Sequence, residues 1–586
     1  MSISSNNSIP TIALGSGFTG EFLYFSKPRE VIAAYSIDEV ARAIVLAQKW
    51  ADEGFWAAGF VSYEAAAAFD PALRTHKPRI DEPLVWFGIF DEPDKTSQGA
   101  NEFSKDAYFA GDWAVSVAEE QYRSAIVQIR NAIARGETYQ TNYTFALETD
   151  FDGDPWAYFR QLTDASRAAY GAYINTGRHC VLSASPELFF SVKDRRILCR
   201  PMKGTAPRGL WSEQDREQAE WLRLSEKNRA ENVMIVDLMR NDLGRIAETG
   251  SVRVPSLFDV EVLPTVWQMT STVEATLRQG VRIDDIFNAL FPCGSITGAP
   301  KRSTMGLITD LEEQARGIYC GAIGVIQPGG DAAFNVAIRT VVVDREAKRA
   351  RCGVGGGITW DSDVSDERRE AMSKSAFLRG KAAEFQLLET LRLEDGDIWL
   401  LDRHMDRLAK SAQYFNFHHD ENAVRERLFE LARVNSHGNF RVRLLASRSG
   451  SVECEIYSLA SPSAGEQLVC LADDPVDISD PFLYHKTTRR SVYERHRAAH
   501  SDCFDVLLWN DRCEATEFTI GNLVVELDDV LCTPPIAVGL LPGTFRAELL
   551  ERGEIVERII SIDDVLNAPH VFMINSVRGW TLVKFQ

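Results

Sequence analysis

Arg200-Pro-Met-Lys-Gly-Thr-Ala-Pro-Arg-Gly209 places one lysine, Lys203, between a proline and a Gly-Thr turn, with Arg200 and Arg208 close to it in sequence. Neighbouring cations and removal from water both favour the neutral form of a lysine amine, and the neutral amine is a nucleophile. An isolated lysine is more often a solvated surface charge. The segments that flank this stretch therefore decide both the fold and the role of Lys203.

The size and composition of the chain are typical of a globular protein with several domains. Its 586 residues leave room for about three or four domains of ordinary size. Hydrophobic residues make up 45% of the sequence and charged residues 25%, and the formal net charge is −20. Because the balance is acidic and no basic stripe is interleaved with aromatic residues, we expect no nucleic-acid partner.

Cysteine usage and the first residues indicate the compartment. The ten cysteines form no Cys-x-x-Cys pair and no Cys/His group with zinc spacing, so we expect buried thiols in a reducing cytosol. Residues 1–8 lack the basic region and apolar core of a signal peptide. No apolar run approaches the length of a membrane span. We expect a cytoplasmic protein without membrane association.

Hydrophobic periodicity predicts alternating helices and strands with one change of character near residue 380. Helices are predicted at Ile37–Gly54, Glu119–Arg135, Trp211–Ile246 and from Asp366 to about Glu384, and strands at Ala322–Ile326, Ala332–Val343 and Ala350–Gly355. After residue 380, residues 385–401 predict a hairpin with its turn at Glu394–Asp397. We therefore expect two domains, 1–378 and 383–586.

Further motifs follow one another in order through the first half. They are Ser185-Pro-Glu-Leu, Pro201-Met-Lys-Gly-Thr, Glu231-Asn-Val-Met-Ile-Val-Asp-Leu-Met-Arg-Asn-Asp-Leu-Gly-Arg245, Gly294-Ser-Ile-Thr-Gly-Ala-Pro-Lys301, Tyr319-Cys-Gly-Ala-Ile-Gly, Ala337-Ile-Arg-Thr and Gly353-Val-Gly-Gly-Gly-Ile. Together they resemble the chorismate-utilising enzymes, which include anthranilate, isochorismate, salicylate and aminodeoxychorismate synthases. The resemblance implies a fold of the α+β class, an antiparallel β-sandwich with helices.

The same resemblance implies a site for chorismate, a dicarboxylate that loses a ring hydroxyl. Mg²⁺ prefers oxygen ligands, and the implied metal ligands are Glu231, Glu367 and Glu370. Arg339 is the implied partner of a substrate carboxylate, since its donor fork suits a planar anion. The remaining residues expected to line or close the pocket are Tyr319, Gly355, Gly356, Thr297, Gly298 and Lys301.

By the same resemblance, Lys203 helps to separate the members of this family. Anthranilate synthase has alanine at this place, whereas aminodeoxychorismate synthase has a lysine that attacks the ring and is then displaced by ammonia. Isochorismate and salicylate synthases also carry a lysine, but it serves as a base for water at a different point of the motif, so the Pro-Met-Lys-Gly-Thr context favours amination. Glu187 matches the general acid/base that assists departure of the hydroxyl. Gln268 stands where several relatives have histidine, so no acid/base role is carried over to it. The sequence contains no glutamine amidotransferase segment, so we expect ammonia from a partner subunit or from solution.

The second half resembles the fold-type-IV pyridoxal-phosphate enzymes, which include aminotransferases and aminodeoxychorismate lyase. The matching segments are Tyr484-His-Lys486-Thr-Thr-Arg, Glu514-Ala-Thr-Glu-Phe-Thr-Ile-Gly-Asn522, Leu541-Pro-Gly-Thr544, Asn575-Ser576 and His404-Met-Asp-Arg-Leu. By this resemblance Lys486 carries the cofactor and Glu517 pairs with its pyridine nitrogen. The implied phosphate contacts are Arg407, Gly543, Thr544 and Ser576, Thr390 aligns with a proton-delivering hydroxyl, and Arg448 with a substrate-carboxylate arginine.

The two resemblances predict consecutive reactions. The first half would convert chorismate and ammonia into aminodeoxychorismate, and the second would release pyruvate to give para-aminobenzoate, a folate precursor. Two alternatives remain at this point. One is an anthranilate-type synthase fused to an aminotransferase, and the other is a synthase with a non-catalytic C-terminal docking module for the amidotransferase. We also expect a homodimer formed through the C-terminal domain.

Overall fold

The computed structural model describes residues 11–94, 107–166, 168–263, 265–379, 385–459 and 465–586. Their contacts divide the chain into two compact units. One unit comprises Met1–Pro207 and Ala219–Ala382, and the other comprises Arg208–Gln218 and Ala383–Gln586. The second unit thus takes eleven residues, 208–218, from within the first half of the sequence. Two predictions concern residues outside the described ranges. One is the absence of a signal peptide in residues 1–8, and the other is the end of a helix at about Glu384.

The first unit is built mainly from strands. Its strands are β1 Ile12–Leu14, β2 Leu23–Phe25, β3 Glu30–Ala34, β4 Trp56–Val61, β5 Val85–Phe90, β6 Tyr108–Ala110, β7 Ala114–Val115, β8 Gln140–Gly153, β9 Tyr170–Asn175, β10 His179–Ser185, β11 Leu188–Lys193, β12 Arg196–Arg200, β13 Met202–Pro207, β14 Arg253–Val262, β15 Val266–Thr276, β16 Gly298–Ala299, β17 Ala322–Ile326, β18 Ala332–Val336, β19 Thr340–Asp344 and β20 Arg349–Ile358. The helices of the first half are α1 Ile37–Asp52, α2 Ala66–Phe69, α3 Glu119–Ala134, α4 Pro155–Ser166, α5 Ser212–Leu224, α6 Glu226–Gly244, α7 Ile283–Leu290, α8 Lys301–Leu311 and α9 Val364–Ser373.

These strands form two antiparallel sheets, as the family resemblance implies. The first sheet has the order β16-β8-β20-β19-β10-β9-β1-β2, and the second has the order β13-β15-β12-β11-β18-β17-β4-β5-β3. One hydrophobic cluster joins residues of both sheets, including Ile12 and Val181 from the first and Phe60 and Ile323 from the second. Two further clusters pack helices against the outer faces of the sheets. The chain crosses repeatedly between sheets, which brings distant motifs to one edge.

Two of the predicted elements are each divided in the structure. The long helical stretch Trp211–Ile246 is two helices, because Ser225 caps the second one by accepting a hydrogen bond from the amide of Asn228. The predicted strand Ala332–Val343 is also two strands, and they belong to different sheets. Arg339 lies between them with a left-handed backbone, φ 48°. A continuous apolar pattern does not reveal either interruption.

The second unit combines a small sheet with a closed barrel. Its strands are β21 Leu387–Glu394, β22 Asp397–Ile398, β23 Asn439–Ala446, β24 Val452–Ser458, β25 Gln467–Leu471, β26 Asp505–Trp509, β27 Ala515–Phe518, β28 Gly521–Leu527, β29 Val530–Thr533, β30 Val556–Glu557, β31 Val571–Asn575 and β32 Gly579–Phe585. Its helices are α10 Leu401–Phe415, α11 Glu421–Val434, α12 Ser491–Ala499, α13 Thr544–Glu551 and α14 Ile562–Asn567. The order β27-β26-β25-β32-β31-β28 closes through pairing of β27 with β28. The predicted hairpin is β21 and β22.

The cysteines differ in part from the expectation of buried thiols. Cys470 and Cys503 form a disulfide with their Cα atoms 6.1 Å apart. Cys293, which lies in the Gly294 motif region, is a buried thiol. In the part of the chain that the structure describes, no helix has both the length and the apolar character needed to cross a membrane.

Candidate active sites

Lys203 lies on a fixed turn at the edge of the second sheet. Strand β13 pairs with β15, and the register shifts between Met202 and Thr205. Gly204 has φ +100°, a conformation that favours glycine. The Gln268 side-chain amide donates to the Gly204 carbonyl at 2.9 Å, and the Asn232 amide donates to the Lys203 carbonyl at 3.2 Å. Gln268 thus holds the turn that presents Lys203.

The Lys203 amine meets two polar groups beside strand β20. Its Nζ lies 3.9 Å from the Glu231 carboxylate. A Cβ built on Gly357 would lie 2.1 Å from Lys203 Nζ and 2.2 Å from Gln140 Nε2. Only a glycine therefore lets both side chains approach the strand. Gln140 is fully buried, and in the described part of the chain neither its amide nitrogen nor its oxygen has a hydrogen-bond partner.

Glu187 is a buried carboxyl group next to Lys203 in this cleft. Its Oε1 accepts a weak hydrogen bond of 3.4 Å from the Met202 amide. Burial raises the pKa of Glu187 to about 7, although a hydrogen bond from Ser295 and the charge of Lys203 both oppose this rise. A carboxyl group with a pKa near neutrality can both donate and accept a proton at physiological pH.

Arg339 supplies a buried positive charge. Burial lowers the pKa of its guanidinium to about 10. Within the described ranges no carboxylate lies within ion-pair distance of it, so its charge is not neutralised by the protein. A buried, uncompensated charge is costly unless a ligand of opposite charge binds there. Arg339 therefore fits an anion such as a carboxylate.

The three predicted metal ligands lie on two helices. Glu231 is on α6, and Glu367 and Glu370 are on one face of α9. Burial raises the pKa of Glu367, and the charge of Glu370 adds to this rise. The neighbouring Lys374 charge lowers the pKa of Glu370, and Lys374 Nζ lies 2.9 Å from its carboxylate.

The charge of Glu370 acts on the pKa of Glu367, and both carboxyl groups feel the charge of Lys203, which lies 3.9 Å from the Glu231 carboxylate. No group of three acidic, histidine or cysteine side chains among the described residues is assembled as a metal cage. Lys374 holds Glu370 and also donates to the Gly355 carbonyl at 3.1 Å. The residues are chemically suited to Mg²⁺, because this ion prefers hard oxygen ligands such as these three carboxylates.

Four other predicted pocket residues lie in three places. Tyr319 is buried beside Gly353 of β20, where an added Cβ would clash with its ring, and both residues line a small cavity of about 40 Å³. Thr297 and Gly298 are buried beside Gln140 through the pairing of β16 with β8. Lys301 is engaged elsewhere, because its Nζ donates to Asp242 at 2.9 Å and to the Leu290 carbonyl at 3.0 Å.

The second site, in the other unit, is organised around Lys486. The lysine lies between β21 and α12, and its carbonyl accepts a hydrogen bond from the Leu388 amide at 3.0 Å. Burial lowers the pKa of Lys486 to about 7, and the charges of Arg490 and Arg407 contribute to the shift. A lysine that is neutral near pH 7 is suited to forming a covalent bond with a carbonyl compound.

Glu517 faces the same interior and is held by three donors. The Tyr493 hydroxyl donates to its Oε1 at 2.8 Å, the Leu541 amide donates at 3.0 Å, and the Asn522 amide donates to Oε2 at 3.3 Å. Burial raises the pKa of Glu517 to about 7 in spite of these donors. A buried carboxyl group of this kind can pair with a protonated ring nitrogen.

Arg407 and the neighbouring loops form a polar cradle. Burial opposes ionisation of Glu389, but Arg407 and His404 outweigh it and hold its pKa at about 2. Arg407 donates to both Glu389 oxygens, at 2.9 and 2.6 Å, and to the Pro542 carbonyl at 3.2 Å. The Thr544 hydroxyl lies 3.4 Å from His404 Nε2.

Two further predicted residues approach one another in this unit. The Ser576 hydroxyl donates to the Thr390 carbonyl at 3.3 Å. Gly543 precedes helix α13, and a Cβ there would lie 1.9 Å from the Asn522 side-chain oxygen. Hydroxyls, an arginine and a helix start form a donor set suited to a phosphate.

Two protein families match successive parts of the chain. The family described as chorismate binding enzyme matches residues 5–380, and the family described as amino-transferase class IV matches residues 386–584. The first match covers more than half of the chain. The chain belongs to the chorismate binding enzyme family.

Several relatives of this chorismate binding enzyme are named for aminodeoxychorismate synthesis. It is 43% identical over 262 residues to aminodeoxychorismate synthase component 1 of Klebsiella aerogenes, a match that covers 45% of this chain and 58% of the relative. It is 40% identical over 270 residues to the protein of the same name from Escherichia coli strain K12, covering 46% and 59% of the two chains. The match thus spans less than two thirds of the length of these relatives.

A solved structure supports the fold. The crystal structure of anthranilate synthase component I from Streptococcus pneumoniae TIGR4 has a TM-score of 0.52 and 23% identity to this chorismate binding enzyme. The superposition covers 65% of this chain and 93% of the other. At this identity the likeness concerns the fold alone.

Three arginines named from the sequence have these contacts in the structure, and the predicted substrate-binding role of Arg448 stays a prediction. Arg200 pairs with Glu261, and Arg208 belongs to the second unit, where it pairs with Asp215. The lysine's charged neighbour is instead the carboxylate of Glu231. Arg448 is exposed at the end of α10, where it donates to the Phe415 carbonyl and lies 4.5 Å from the Phe417 ring centroid.

Other residues of the two sites were missed by the sequence analysis. In the first site these are Gln140 and Gly357. In the second they are Arg490, Tyr493, Glu389 and His404. Gly357 was part of a quoted motif, but the alternation of a strand was needed to show that it, and not Gly356, faces Lys203. His404 was also part of a quoted motif, whereas Gln140, Arg490, Tyr493 and Glu389 carry no local signal, because their roles come from tertiary contacts.

Proposed function

We propose that the first unit converts chorismate and ammonia into aminodeoxychorismate and water. The observation that carries this proposal is Lys203, which stands on a fixed turn between Glu187 and Glu231. By the resemblance given above, a lysine in the Pro-Met-Lys-Gly-Thr context favours the aminating enzyme over anthranilate synthase. Relatives named aminodeoxychorismate synthase component 1 support this choice.

In this proposal the Lys203 amine forms a bond to the ring carbon and the ring hydroxyl departs. Glu187 donates the proton that turns the hydroxyl into water, which its raised pKa permits at neutral pH. Ammonia then forms a bond to the ring while the bond to Lys203 breaks, and the Glu187 carboxylate takes up the proton that the added ammonia loses, which restores the acid. The covalent route divides one difficult substitution into two easier ones.

Arg339 would bind one carboxylate of chorismate, because its buried charge lacks a protein counterion. Glu231, Glu367 and Glu370 would hold Mg²⁺ together with a second substrate carboxylate. The bound metal supplies positive charge opposite the substrate anion. Tyr319, Thr297, Gly298, Gly355 and Gly356 stay proposed pocket residues, whereas Lys301 would act through its contact with Asp242.

For the second unit we propose release of pyruvate from aminodeoxychorismate to give para-aminobenzoate. Pyridoxal phosphate, when bound, supplies an electron sink for this reaction. Lys486 would hold the cofactor and take the ring proton, and Glu517 would keep the pyridine nitrogen protonated. Arg407, Gly543, Thr544 and Ser576 would bind the phosphate, and Thr390 would deliver a proton from its hydroxyl.

Three parts of the proposal concern the context of the enzyme. The ammonia donor is a glutamine amidotransferase subunit or ammonia in solution. The protein acts in the cytoplasm, and it forms a homodimer through the C-terminal domain. These proposals rest on the family resemblance.

Product analysis tests the function. The purified chain is incubated with chorismate, Mg²⁺, ammonium and pyridoxal phosphate, beside Lys203→Ala and Lys486→Ala variants. We expect para-aminobenzoate and pyruvate from the wild type, aminodeoxychorismate from Lys486→Ala, and neither product from Lys203→Ala. Anthranilate from the wild type would instead favour the anthranilate-type synthase. Aminodeoxychorismate as the wild type's final product, without bound cofactor, would favour a docking module.

A further inference from the structure

Residues 208–218 lie in the first half of the sequence but pack into the second unit. They follow directly after β13, the strand that carries Lys203. Within the second unit they contact α10 and the Tyr484-His485 dipeptide that directly precedes Lys486. The domain limits predicted from the sequence place this segment in the first domain, and no role for it follows from the function proposed above.

Arg208 binds Asp215 within its own segment and makes two contacts with Tyr414 near the end of α10. Its guanidinium makes a two-pronged ion pair with Asp215, at 2.8 and 2.7 Å. The same group donates to the Tyr414 carbonyl at 3.1 Å and lies 4.4 Å from the centre of the Tyr414 ring. Asp215 also accepts from the Gly209 amide at 2.9 Å. Because the fork of an arginine is rigid, this arrangement fixes both the loop and the ring.

The Tyr414 ring transmits this contact to His485. The two rings stack with their centroids 4.2 Å apart and an interplanar angle of 28°. His485 is buried, and the Ser411 hydroxyl lies 3.0 Å from its Nδ1. Through Arg208 and Tyr414, the 208–218 segment is thus connected to His485, the residue next to Lys486.

Trp211 supports the same dipeptide from another direction. Its ring stacks on Tyr484 with the centroids 5.4 Å apart and an interplanar angle of 29°. Leu210 and Trp211 pack against the hydrophobic cluster that contains Tyr484 and Tyr493. Tyr493 in turn donates to Glu517 at 2.8 Å. The segment therefore supports the neighbours of both Lys486 and Glu517.

We propose that residues 208–218 are a positioning element of the second active site, with Arg208 and Trp211 as its positioning residues. They act on Lys486 through Tyr414, His485 and Tyr484 and touch no reacting atom. This inference rests on the proposed function of the second unit, because it assumes that Lys486 holds pyridoxal phosphate. Its consequence is that the second reaction depends on residues encoded in the first half of the chain.

The test uses the full-length holoprotein and aminodeoxychorismate supplied directly as substrate. Trp211→Ala and Arg208→Gln are compared with the wild type in kcat, in KM and in the pH dependence of the visible absorption of bound pyridoxal phosphate. We expect kcat of pyruvate release to fall by about tenfold or more, because small misplacements of reacting groups slow catalysis strongly. We also expect the apparent pKa of the visible absorption to shift, with little change in KM.

Two controls separate positioning from general damage. Trp211→Phe keeps a stacking ring and should restore most of kcat, and Glu217→Gln removes an exposed charge from the same segment and should match the wild type. Formation of aminodeoxychorismate from chorismate should stay near the wild-type rate in each variant. The inference is overturned by wild-type kcat and spectra in Trp211→Ala and Arg208→Gln, or by parallel losses of both activities. A wild type that binds no cofactor would instead refute the proposed function.

Discussion

Glu187 has the clearest electrostatic signature of any single residue in the first site. Its burial raises its pKa to about 7, beside the amine of Lys203. We expect Glu187→Gln to lower kcat for aminodeoxychorismate formation by about 10²- to 10⁴-fold, since the amide cannot transfer a proton. In the wild type, kcat/KM for chorismate should fall as the pH rises through about 7, because departure of the hydroxyl needs the protonated acid. A pH–rate profile without this limb would contradict the assignment.

The same substitution should affect stability in the opposite direction. A carboxyl group whose pKa rises from 4.5 in the unfolded chain to about 7 in the folded chain destabilises the fold as the pH rises through this window. At pH 8 the cost is about 3 kcal/mol. Glu187→Gln should therefore unfold at a higher temperature than the wild type at pH 8 and at the same temperature at pH 4.5. Calorimetry at both pH values measures this difference.

The buried guanidinium of Arg339 leads to a prediction about substrate binding. Because its buried charge has no carboxylate partner within the described residues, we expect Arg339→Met to raise KM for chorismate by about 100-fold without loss of thermal stability. Arg339→Lys, the matched control, keeps the charge but loses the donor fork and should show a smaller increase. Steady-state kinetics with varied chorismate measure both effects. An unchanged KM in Arg339→Met would exclude this arginine from substrate binding.

Strand β20 carries two glycines, Gly355 and Gly357, whose added Cβ atoms would have different consequences. The atoms nearest to a Cβ built on Gly357 belong to the side-chain ends of Lys203 and Gln140, and such ends can move. A Cβ built on Gly355 would instead lie 2.3 Å from the backbone oxygen of Tyr143. We therefore expect Gly357→Ala to abolish most synthase activity with little change in melting temperature. Gly355→Ala should lower the melting temperature, because the backbone of β8 must move.

Parallel measurements of activity and thermal unfolding on these two variants test the prediction. Gly280→Ala is the control for an added methyl group, because Gly280 has open space around its Cα. It has φ +83°, so only a modest loss of stability and no loss of activity are expected from it. If Gly357→Ala keeps full activity, then Lys203 does not act where it lies in this structure.

The sequence patterns predicted the presence of helices and strands better than the residues at which these elements end. The periodic apolar positions of α1 gave a helix within two residues of the observed Ile37–Asp52, because its buried face repeats every three to four residues. The interruptions at Ser225 and Arg339 could not be predicted, since a cap and a crossover between sheets depend on tertiary contacts. In the same way the motifs named Lys203 and Glu517, but not Gln140 or Tyr493.

The two units are not consecutive in sequence, because residues 208–218 of the first half belong to the second unit. Residues 383–586 expressed alone lack residues 208–218, and with them the stacking partner of Tyr484 and the cation beside Tyr414. We expect this fragment to melt at a lower temperature and to hold less pyridoxal phosphate than the second unit in the full chain. The loss arises because apolar rings of the hydrophobic cluster become exposed to water.

The matching control is the same fragment preceded by residues 208–218 and a flexible linker. It should recover a large part of the cofactor occupancy measured by absorbance. Equal occupancy in the fragments with and without the segment would show that the second unit is complete without it. No composition change or linker marks residues 208–218 in the sequence, so the domain limits 1–378 and 383–586 gave no warning of this exchange.

The strand order of the barrel has a consequence for synthesis on the ribosome. Strand β32 lies between β25 and β31, so β25 keeps an open edge until β32 has emerged. Residues 208–218 emerge long before any strand of that barrel exists. The nascent first half must therefore carry Trp211 and Leu210 without their final partners, a window in which a chaperone or a neighbouring nascent chain can compete for them.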